Sequence, residues 1–242
     1  MRLALAQTHP TPGDIAANLA AHLRFIRKAV SLQADLVLFP ELSLIGYEPA
    51  LAGKLEMPLD DPRLDAFQQV SDAEGTIVGV GAPIAAAGKP QIGLIFFRPH
   101  EPRKLYGKHH LHADEEPFFS PAENSWVTLG ESLRIGPAIC YEISVPEHAE
   151  RAVVAGAEVY LASVAKTVPG VEVAGERLAA VAKRYSMLVL MANCVGWADG
   201  ERCGGRSAVW DERGRLLGQL DGEGEGLLLF DTETREVMVV GL

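Results

Sequence analysis

Short apolar runs of strand length alternate along this chain with stretches whose apolar residues recur at helical spacing. The first run covers 2–7, a helical pattern follows over 14–31, and a second strand-like run covers 36–39. Asp14 precedes the helical pattern and has the short side-chain carboxylate that suits a helix N-cap. We therefore predict an α/β fold, because regular alternation of strands and helices is typical of that class.

The same patterns predict elements through the rest of the sequence. Helices are expected at 62–73, 146–155 and 174–185, and strands at 76–82, 93–97, 133–139, 159–164 and 187–192. Toward the C-terminus the pattern changes to short strands at 206–210, 216–220, 226–231 and 237–240, separated by Gly-rich or charged turns. No repeat or linker divides the sequence, which predicts one domain over residues 1–242.

One segment, 98–124, has no sustained period and is rich in His, Pro and acidic residues. It is longer than the connections that compact domains usually contain, and long loops tend to carry function. We expect loops to form the walls of a substrate pocket, in particular those at 49–58, 117–124 and 167–175.

Composition narrows the classes of partner. The 242 residues include 22 Lys and Arg against 32 Asp and Glu, a net charge of -10 that would repel a nucleic-acid backbone. No apolar stretch reaches the ~18 residues that a membrane span requires, and the chain opens on a strand-like run rather than on an export signal. With three scattered cysteines, the sequence predicts a cytoplasmic protein that binds neither nucleic acid nor membrane.

Cys140 follows the apolar run 133–139 and precedes a predicted helix by a few residues. A side chain at that end of a strand lies where α/β folds bind ligands, and a helix N-terminus favours a thiolate or an oxyanion. The position suits a nucleophile, although a small buried core residue is the commoner role of a free cysteine. Cys194 and Cys203 are predicted to be structural, the first at the end of a core strand and the second in a Gly-rich turn.

Glu41 comes directly after the apolar run 36–39 and Pro40, with apolar residues on both sides. Burial of that kind raises the pKa of a carboxyl group, which suits a base that takes a proton from a thiol and returns it to a leaving amine. The alternative is a glutamate of a solvent-facing loop.

Lys108 lies in the long segment, beside His109, His110 and His112. An ammonium group next to an active thiol would stabilise the thiolate and the developing oxyanion, whereas the alternative is an ordinary surface lysine. The three histidines lack an i, i+4 pair with a glutamate partner, and no cysteine lies near them in sequence. We therefore predict no metal and no other cofactor.

Three segments, in this order, resemble the motifs of the nitrilase superfamily, whose members use a Glu-Lys-Cys triad. Residues 39–41 (Phe-Pro-Glu) with 46–47 look like its glutamate motif, 106–111 like its lysine motif, and 139–142 (Ile-Cys-Tyr-Glu) with 146–147 like its cysteine motif. Later landmarks are similar at 155–158, 192–196 and 205–211, so the resemblance spans residues 2 to about 230.

The resemblance implies roles for particular residues. Glu41, Lys108 and Cys140 would form the reaction centre, and Glu115, or its neighbour Glu116, would be the second glutamate that the family carries after the lysine. Contacts to the oxyanion or to the substrate are expected from Tyr47, Tyr141, Glu142, Lys166 and Asn193.

The family's fold and activity are implied as well. We expect a four-layer α-β-β-α sandwich that pairs with a second copy through its outer helices, as a homodimer or a larger homo-oligomer. The expected substrate is a small amide, either an ω-amide, an aliphatic amide or an N-carbamoyl compound, cleaved through a thioester with release of ammonia or an amine. Ala122 stands where the family usually has glycine, and Ser144 where it often has arginine, which leaves the triad intact but affects the pocket.

Three other functions fit parts of the sequence. A glutamine amidotransferase would pair Cys140 with His109, His110 or His148, but such a nucleophile usually lies in a Gly-flanked elbow that is missing here. The same triad could hydrolyse a nitrile. A catalytically silent relative could bind a small molecule without turning it over.

Overall fold

Two β-sheets form the centre of the molecule. The computed structural model describes residues 1–123 and 133–242, so the last residue of the segment 98–124 lies outside the described residues. The strands in the described part are β1 (Arg2–Gln7), β2 (Leu36–Leu38), β3 (Ile77–Ile84), β4 (Gln91–Phe97), β5 (Lys104–Gly107), β6 (Ile135–Ile139), β7 (Val159–Ser163), β8 (Leu188–Ala192), β9 (Val195–Ala198), β10 (Glu201–Gly204), β11 (Ala208–Trp210), β12 (Leu216–Gln219), β13 (Gly226–Asp231) and β14 (Val237–Gly241).

Helices flank these sheets. Within the described ranges they are α1 (Ile15–Ser31), α2 (Ala52–Leu55), α3 (Asp65–Glu74), α4 (Pro146–Val154) and α5 (Val168–Tyr185), with short 3-10 turns at Pro49–Leu51, Pro62–Leu64 and Cys140–Ser144. Asp14 caps α1 as predicted, because its carboxylate accepts a hydrogen bond from the N–H of Ala17. None of the helices in these ranges combines the length and apolar character that a bilayer span needs.

The larger sheet has parallel strands at its centre and antiparallel strands at its edges. In the described residues its order is β14-β13-β1-β2-β3-β4-β5, with β1, β2 and β3 parallel. The second sheet has the order β12-β11-β8-β7-β6, in which β6, β7 and β8 are parallel. Side chains that follow the carboxyl ends of such parallel strands lie where α/β folds place their ligand sites.

The two sheets pack face to face between two layers of helix. Between them, the Ser163 hydroxyl donates a hydrogen bond of 2.8 Å to the carbonyl of Phe39. On the outer side of the larger sheet, Phe25 of α1 packs edge-on against Phe39, and Phe67 of α3 contacts Phe97. Helix α5 packs on β8 and β11, with α4 beside it. The result is the four-layer α-β-β-α sandwich that the resemblance implied.

Close packing of the turn after β2 on β3 requires a glycine. This turn carries Glu41 and passes over Gly81, where an added Cβ would lie 2.4 Å from the carbonyl oxygen of Pro40 and 2.5 Å from the nitrogen of Leu42. Backbone atoms cannot yield as a flexible side chain does, so glycine is the residue that fits. The N–H of Leu44 also donates a hydrogen bond of 3.0 Å to the Gly81 carbonyl, which holds the turn against the strand.

Several elements differ from those the sequence predicts. Strand β5 lies inside the segment 98–124, where four residues are too few to reveal a period. Helix α5 begins at Val168 rather than near 174, because Thr167 caps it and Pro169 suits its first turn. Strands β9 and β10 form a hairpin in a stretch whose glycines predict turns. Cys203 lies in β10, so the prediction that it lies in a turn is wrong.

Candidate active site

Cys140 lies at the junction of β6 and α4. The strand ends at Ile139, a 3-10 turn covers Cys140–Ser144, and α4 begins at Pro146, as the strand-turn-helix pattern predicts. The backbone of Cys140 has a φ of 43°, in the left-handed region that residues other than glycine seldom adopt. Such a conformation costs about 1–3 kcal/mol and persists only where neighbouring contacts impose it. The position of this thiol is therefore determined by its surroundings.

Glu41 and Lys108 meet although 67 residues separate them along the chain. Glu41 follows β2, Lys108 follows β5, and both side chains are fully buried. The Nζ of Lys108 donates a hydrogen bond of 2.7 Å to Oε1 of Glu41 and one of 2.5 Å to Oε1 of Glu115. One cation thus lies between two carboxylates inside the protein.

Burial separates the two candidates for the second glutamate. Glu115 is buried, and its Oε1 also accepts a hydrogen bond of 3.0 Å from the Tyr47 hydroxyl. Its Oε2 accepts one of 2.7 Å from the N–H of His112. Glu116 is exposed. The structure therefore places Glu115, rather than Glu116, beside Lys108.

A cavity of about 300 Å³ lies beside the thiol. Its size suits a small molecule, and its lining combines apolar surface with a few converging polar groups, as ligand sites do. Glu41 and Lys108 are buried and are not part of the lining. The lining residues that matter most for the chemistry are Tyr47, Glu115, Cys140, Tyr141, Lys166 and Glu201.

Comparison with known proteins identifies the family to which this arrangement belongs. A model of the family described as carbon-nitrogen hydrolase matches residues 2–237. The chain belongs to the carbon-nitrogen hydrolase family. It is 30% identical to the "Hydrolase in pqqF 5'region" of Pseudomonas protegens, over 98% of this chain and 84% of that protein. It is 29% identical to an (R)-stereoselective amidase of a Pseudomonas species, over 90% of this chain and 80% of that protein.

Solved structures of an amidase share the fold. The amidase of Nesterenkonia sp. AN1 matches this carbon-nitrogen hydrolase with a TM-score of 0.88 and 25% identity, over 97% of this chain and 94% of that one. That structure is of a glutamate-to-glutamine variant in which acrylamide has added to the active-site cysteine. A cysteine-to-alanine variant in complex with butyramide matches with a TM-score of 0.86 and 26% identity, over 100% and 90%. Family and fold confirm the amidase-type relationship that the order of the motifs predicts.

Burial and neighbouring charges set the protonation states in this carbon-nitrogen hydrolase. Burial raises the pKa of Glu41 above its ordinary value, although the Lys108 ammonium opposes the shift. Burial lowers the pKa of Lys108, but the surrounding negative groups, Glu41 foremost, outweigh it and raise that pKa above its ordinary value. Lys108 is therefore a cation at neutral pH, and Glu41 has an increased affinity for a proton.

The Cys140 thiol is protonated at neutral pH. Burial raises its pKa to about 11, and the negative charge of Glu41 adds to the shift. The ammonium groups of Lys166 and Lys108 act in the opposite direction, as does a hydrogen bond from the backbone of Ala165. A protonated thiol is a weak nucleophile, so this one needs a base.

The carboxylate next to the thiol belongs to Glu41. Oε1 of Glu41 is bonded to Lys108, whereas Oε2 is buried and has no hydrogen-bond partner of regular geometry among the described residues. Two side-chain hydrogen bonds limit the rise in the pKa of Glu41: one from Lys108 and a smaller one from the Cys140 thiol. The arrangement can therefore move a proton between sulfur and carboxylate while a cation stays fixed beside both.

Three residues expected to contact the substrate, Tyr47, Tyr141 and Lys166, line the cavity. Glu142 and Asn193, also expected to contact the substrate, are not among the lining residues. Their polar atoms bond other parts of the protein instead. In particular, Asn193 accepts a hydrogen bond of 2.8 Å from the Lys166 N–H and donates one of 3.1 Å to the Lys166 carbonyl. Asn193 thus holds the backbone that carries Lys166.

One wall of the cavity comes from the hairpin of β9 and β10, which the sequence does not predict. Asp199 lies at its turn, and Glu201 and Cys203 of β10 face the cavity. Glu201 and Cys203 are two positions apart, with exposed Arg202 between them, so their side chains point to the same face of a strand. This spacing is the local sequence signal that could have predicted β10.

The loops expected to form the walls contribute unequally. The range 167–175 supplies Thr167 and Gly170, which belong to the N-terminal turn of α5 and its cap rather than to a loop. The described residues of 49–58 and 117–124 supply no lining residue. Ala165, which bonds the Cys140 sulfur, is a further lining residue that no sequence motif marks.

Cys203 is a second thiol at the cavity. A hydrogen bond with the Cys194 thiol lowers the pKa of Cys203 and raises that of Cys194. Both thiols are buried and free of disulfides. Cys194 therefore follows a core strand as predicted, while Cys203 lies close to the reaction centre.

The histidines of an amidotransferase arrangement lie elsewhere. His109 contacts the carbonyl of Ala122 through Nδ1 at 2.8 Å, and His148 bonds the hydroxyl groups of Tyr106 and Tyr160. Neither residue lines the cavity that contains the thiol, and neither does His110. Among the described residues, the thiol therefore has a carboxylate beside it and none of these three imidazoles.

The two departures from the family pattern occupy supporting positions. The N–H of Ala122 donates a hydrogen bond of 2.9 Å to the carbonyl of Lys108. The Ser144 hydroxyl accepts one of 2.5 Å from Arg177 of α5, so an arginine from another element reaches this position. Neither Ala122 nor Ser144 lines the cavity.

Proposed function

We propose that this carbon-nitrogen hydrolase cleaves a small amide through a thioester on Cys140, with Glu41 as the base and Lys108 as the stabilising cation. The observation that carries the proposal is the buried Lys108 bridge between Glu41 and Glu115, next to a cavity lined by the thiol. Buried charges are costly to a fold, and here they supply the base and the cation that a thiol nucleophile needs. Variants of the Nesterenkonia amidase form complexes with butyramide and with acrylamide, which supports an amide as the substrate.

In the first half-reaction, Glu41 removes the proton from the Cys140 thiol and the sulfur attacks the amide carbonyl carbon. A carbon–sulfur bond forms, and the carbonyl oxygen becomes an oxyanion that the Lys108 ammonium and the Tyr141 backbone N–H stabilise. The carbon–nitrogen bond then breaks as Glu41 returns the proton to the leaving nitrogen. Ammonia or an amine departs, and the acyl group remains on sulfur as a thioester.

In the second half-reaction, Glu41 removes a proton from a water molecule whose oxygen attacks the thioester carbon. The oxyanion forms again at the same position and is stabilised by the same groups. When it collapses, the carbon–sulfur bond breaks and the sulfur regains the proton from Glu41. Glu115, held by Tyr47, keeps the Lys108 ammonium in place through both halves.

The charges of the cavity favour a neutral substrate. Besides Glu115, the described lining residues include the carboxylates of Asp114, Asp199 and Glu201, against the ammonium of Lys166. An ω-amide that carries a carboxylate of its own would be repelled by this group of acids. We therefore place aliphatic amides ahead of anionic ω-amides within the proposed substrate class.

The proposal is tested by ammonia release from a panel of neutral aliphatic amides, ω-amides, N-carbamoyl compounds and nitriles. We expect the wild type to hydrolyse amides, with an acyl adduct on Cys140 in mass spectra of quenched reactions. Cys140→Ala should lose turnover and keep its fold, while Cys194→Ala makes the same change at a thiol outside the lining and should stay active.

The outcomes separate the proposal from its alternatives. Turnover retained by Cys140→Ala would refute the assignment of the nucleophile. Turnover of nitriles in preference to amides would show that the protein hydrolyses nitriles instead. Absence of turnover on every member of the panel, together with measurable binding of amides, would support a silent relative.

We also propose that two copies associate through the outer helices, as the family resemblance implies. Exposed apolar side chains on these helices support it: Val154 of α4 is 88% exposed, and Val168 and Val173 of α5 are also exposed. Light scattering should give a dimer or larger for the wild type and a smaller species for Val154→Glu. A wild type that is monomeric at assay concentration would contradict the proposal.

A further inference from the structure

Glu142 is a fully buried carboxylate that lies outside the cavity lining. Its Oε2 accepts a hydrogen bond of 2.8 Å from the N–H of Ile139, the residue directly before Cys140. Its Oε1 accepts one of 2.7 Å from the N–H of His109, the residue directly after Lys108. One side chain therefore joins the backbone beside the nucleophile to the backbone beside the cation.

A chain of buried polar side chains continues from this carboxylate. The Tyr106 hydroxyl of β5 donates a hydrogen bond of 2.7 Å to Oε2 of Glu142 and lies 2.6 Å from Nε2 of His148 on α4. Nδ1 of His148 lies 2.7 Å from the hydroxyl of Tyr160 on β7. Because β5 and β7 belong to different sheets, the chain crosses the sandwich beside the reaction centre.

One placement of the protons gives each of these side-chain hydrogen bonds a donor and an acceptor. Burial lowers the pKa of His148 below its ordinary value, so the imidazole is neutral. With the proton on Nε2, His148 donates to Tyr106, which donates to Glu142, while Nδ1 accepts from Tyr160. The network therefore presents donors to Glu142, and a carboxylate, which only accepts, satisfies them.

The Glu142 carboxylate holds the backbone of the turn at Cys140. The strained φ of 43° at Cys140 persists only if the flanking backbone is held. The bond from Ile139 N–H to Glu142 Oε2 spans Cys140, because its donor precedes and its acceptor follows that residue. The same side chain then reaches the Lys108 segment, so both anchors depend on one carboxylate.

We propose that Glu142 is a positioning residue that fixes the Cys140 thiol relative to the Lys108 ammonium. It acts through the backbones of Ile139 and His109 rather than on the substrate. A displacement of about 1 Å between reacting groups can reduce a rate on the order of 100-fold. The turnover readout of this inference rests on the proposed function, whereas the reactivity of the thiol can be read without it.

The test compares the wild type with Glu142→Gln, which keeps the shape but turns an NH₂ group toward N–H or O–H donors. We expect a fall in kcat of about 10- to 100-fold, with KM changed by less than about threefold, because the substrate contacts remain. Glu176→Gln is the matched control, since it makes the same change at an exposed position of α5, outside the motifs. It should behave as the wild type.

The second readout is the rate at which iodoacetamide alkylates Cys140, followed by peptide mass spectrometry across a range of pH. A purely structural loss would lower the folded fraction and leave the pH dependence of the folded protein unchanged. Displacement of the thiol from Glu41 and Lys108 should change both the rate and its pH dependence. This measurement needs no turnover, so it separates a failure of the inference from a failure of the proposed amidase activity.

Tyr106→Phe serves if Glu142→Gln does not fold, because it removes one donor and leaves the carboxylate. It should lower kcat several-fold in the same direction. Where Glu142→Gln does fold, the effect of Tyr106→Phe on kcat should be smaller in the double variant than in the wild type. A folded Glu142→Gln, or failing that a folded Tyr106→Phe, with unchanged kcat and an unchanged alkylation profile would overturn the proposal.

Discussion

Oε1 of Glu41 accepts a hydrogen bond of 2.7 Å from Nζ of Lys108, and both side chains are fully buried. The ion pair and the burial act in opposite directions on Glu41: burial raises its pKa and the ammonium limits the rise. This balance sets the pH range over which Glu41 can accept the proton of Cys140.

The pH profile of hydrolysis should carry the signature of this pair. Glu41 must be ionised to act as a base, and a raised pKa means that it becomes protonated at a higher pH than usual. We therefore expect kcat/KM to fall on acidification with an apparent pKa above the ordinary 4.5 of a glutamate. On the alkaline side the plateau should extend toward about 11, the pKa of Cys140.

The control for that profile is Glu41→Gln, whose residual activity should lack the acid limb. An acid limb at or below 4.5 in the wild type, or an alkaline limb at the ordinary thiol pKa of 9.0, would contradict the assignment.

Lys108→Met should be inactive and unstable at neutral pH. The change leaves Glu41 and Glu115 without their shared cation, a loss that costs about 3–5 kcal/mol when the remaining charges are buried. Urea unfolding should show this deficit against the wild type and against Lys54→Met, an exposed lysine of α2. Turnover should fall by at least about 100-fold.

The deficit of Lys108→Met should shrink as the pH falls. Without the ammonium, which opposes the rise, the folded pKa of Glu41 lies further above its unfolded value. Groups with such a shift favour the folded state as they take up protons, so acid stabilises the variant relative to the wild type. A deficit in the free energy of unfolding that stays constant from neutral to acidic pH would show that loss of the ammonium does not change the protonation of Glu41.

The acidic wall of the cavity should discriminate against anionic amides. We expect Glu201→Gln to raise kcat/KM for succinamate relative to butyramide by roughly fivefold at low salt, because one repulsive charge is removed. The effect should decline at high ionic strength. Glu176→Gln, at an exposed position of α5, is the matched control, and an equal change in that variant would exclude a local role for Glu201.

Gly81→Ala should destabilise the fold and displace the base. Its Cβ would meet the backbone of Pro40 and Leu42, which flank Glu41, so we expect about 1–3 kcal/mol of lost stability together with reduced turnover. Gly53→Ala on α2 is the control, since an added Cβ meets no atom within 4 Å there and alanine favours a helix. Equal unfolding midpoints for the two variants would disprove the packing argument.

Local patterns pointed to two of the three residues, and the family resemblance pointed to the third. Glu41 and Cys140 each follow an apolar run, whereas Lys108 follows β5, which is too short to show a period in the sequence. The family motifs added their order. The choice between Glu115 and Glu116 could not be made in this way, because neighbouring residues share one sequence context and differ only in burial.

The amino-acid sequence by itself determined the alternation of strands and helices and the three residues proposed to react, because periodicity and motifs are local properties of the chain. Only the tertiary structure decided that Glu142 lies outside the cavity and that β10 forms one of its walls. It also placed Lys108 between two carboxylates. Those features depend on contacts between segments that are distant along the chain and that the fold brings together.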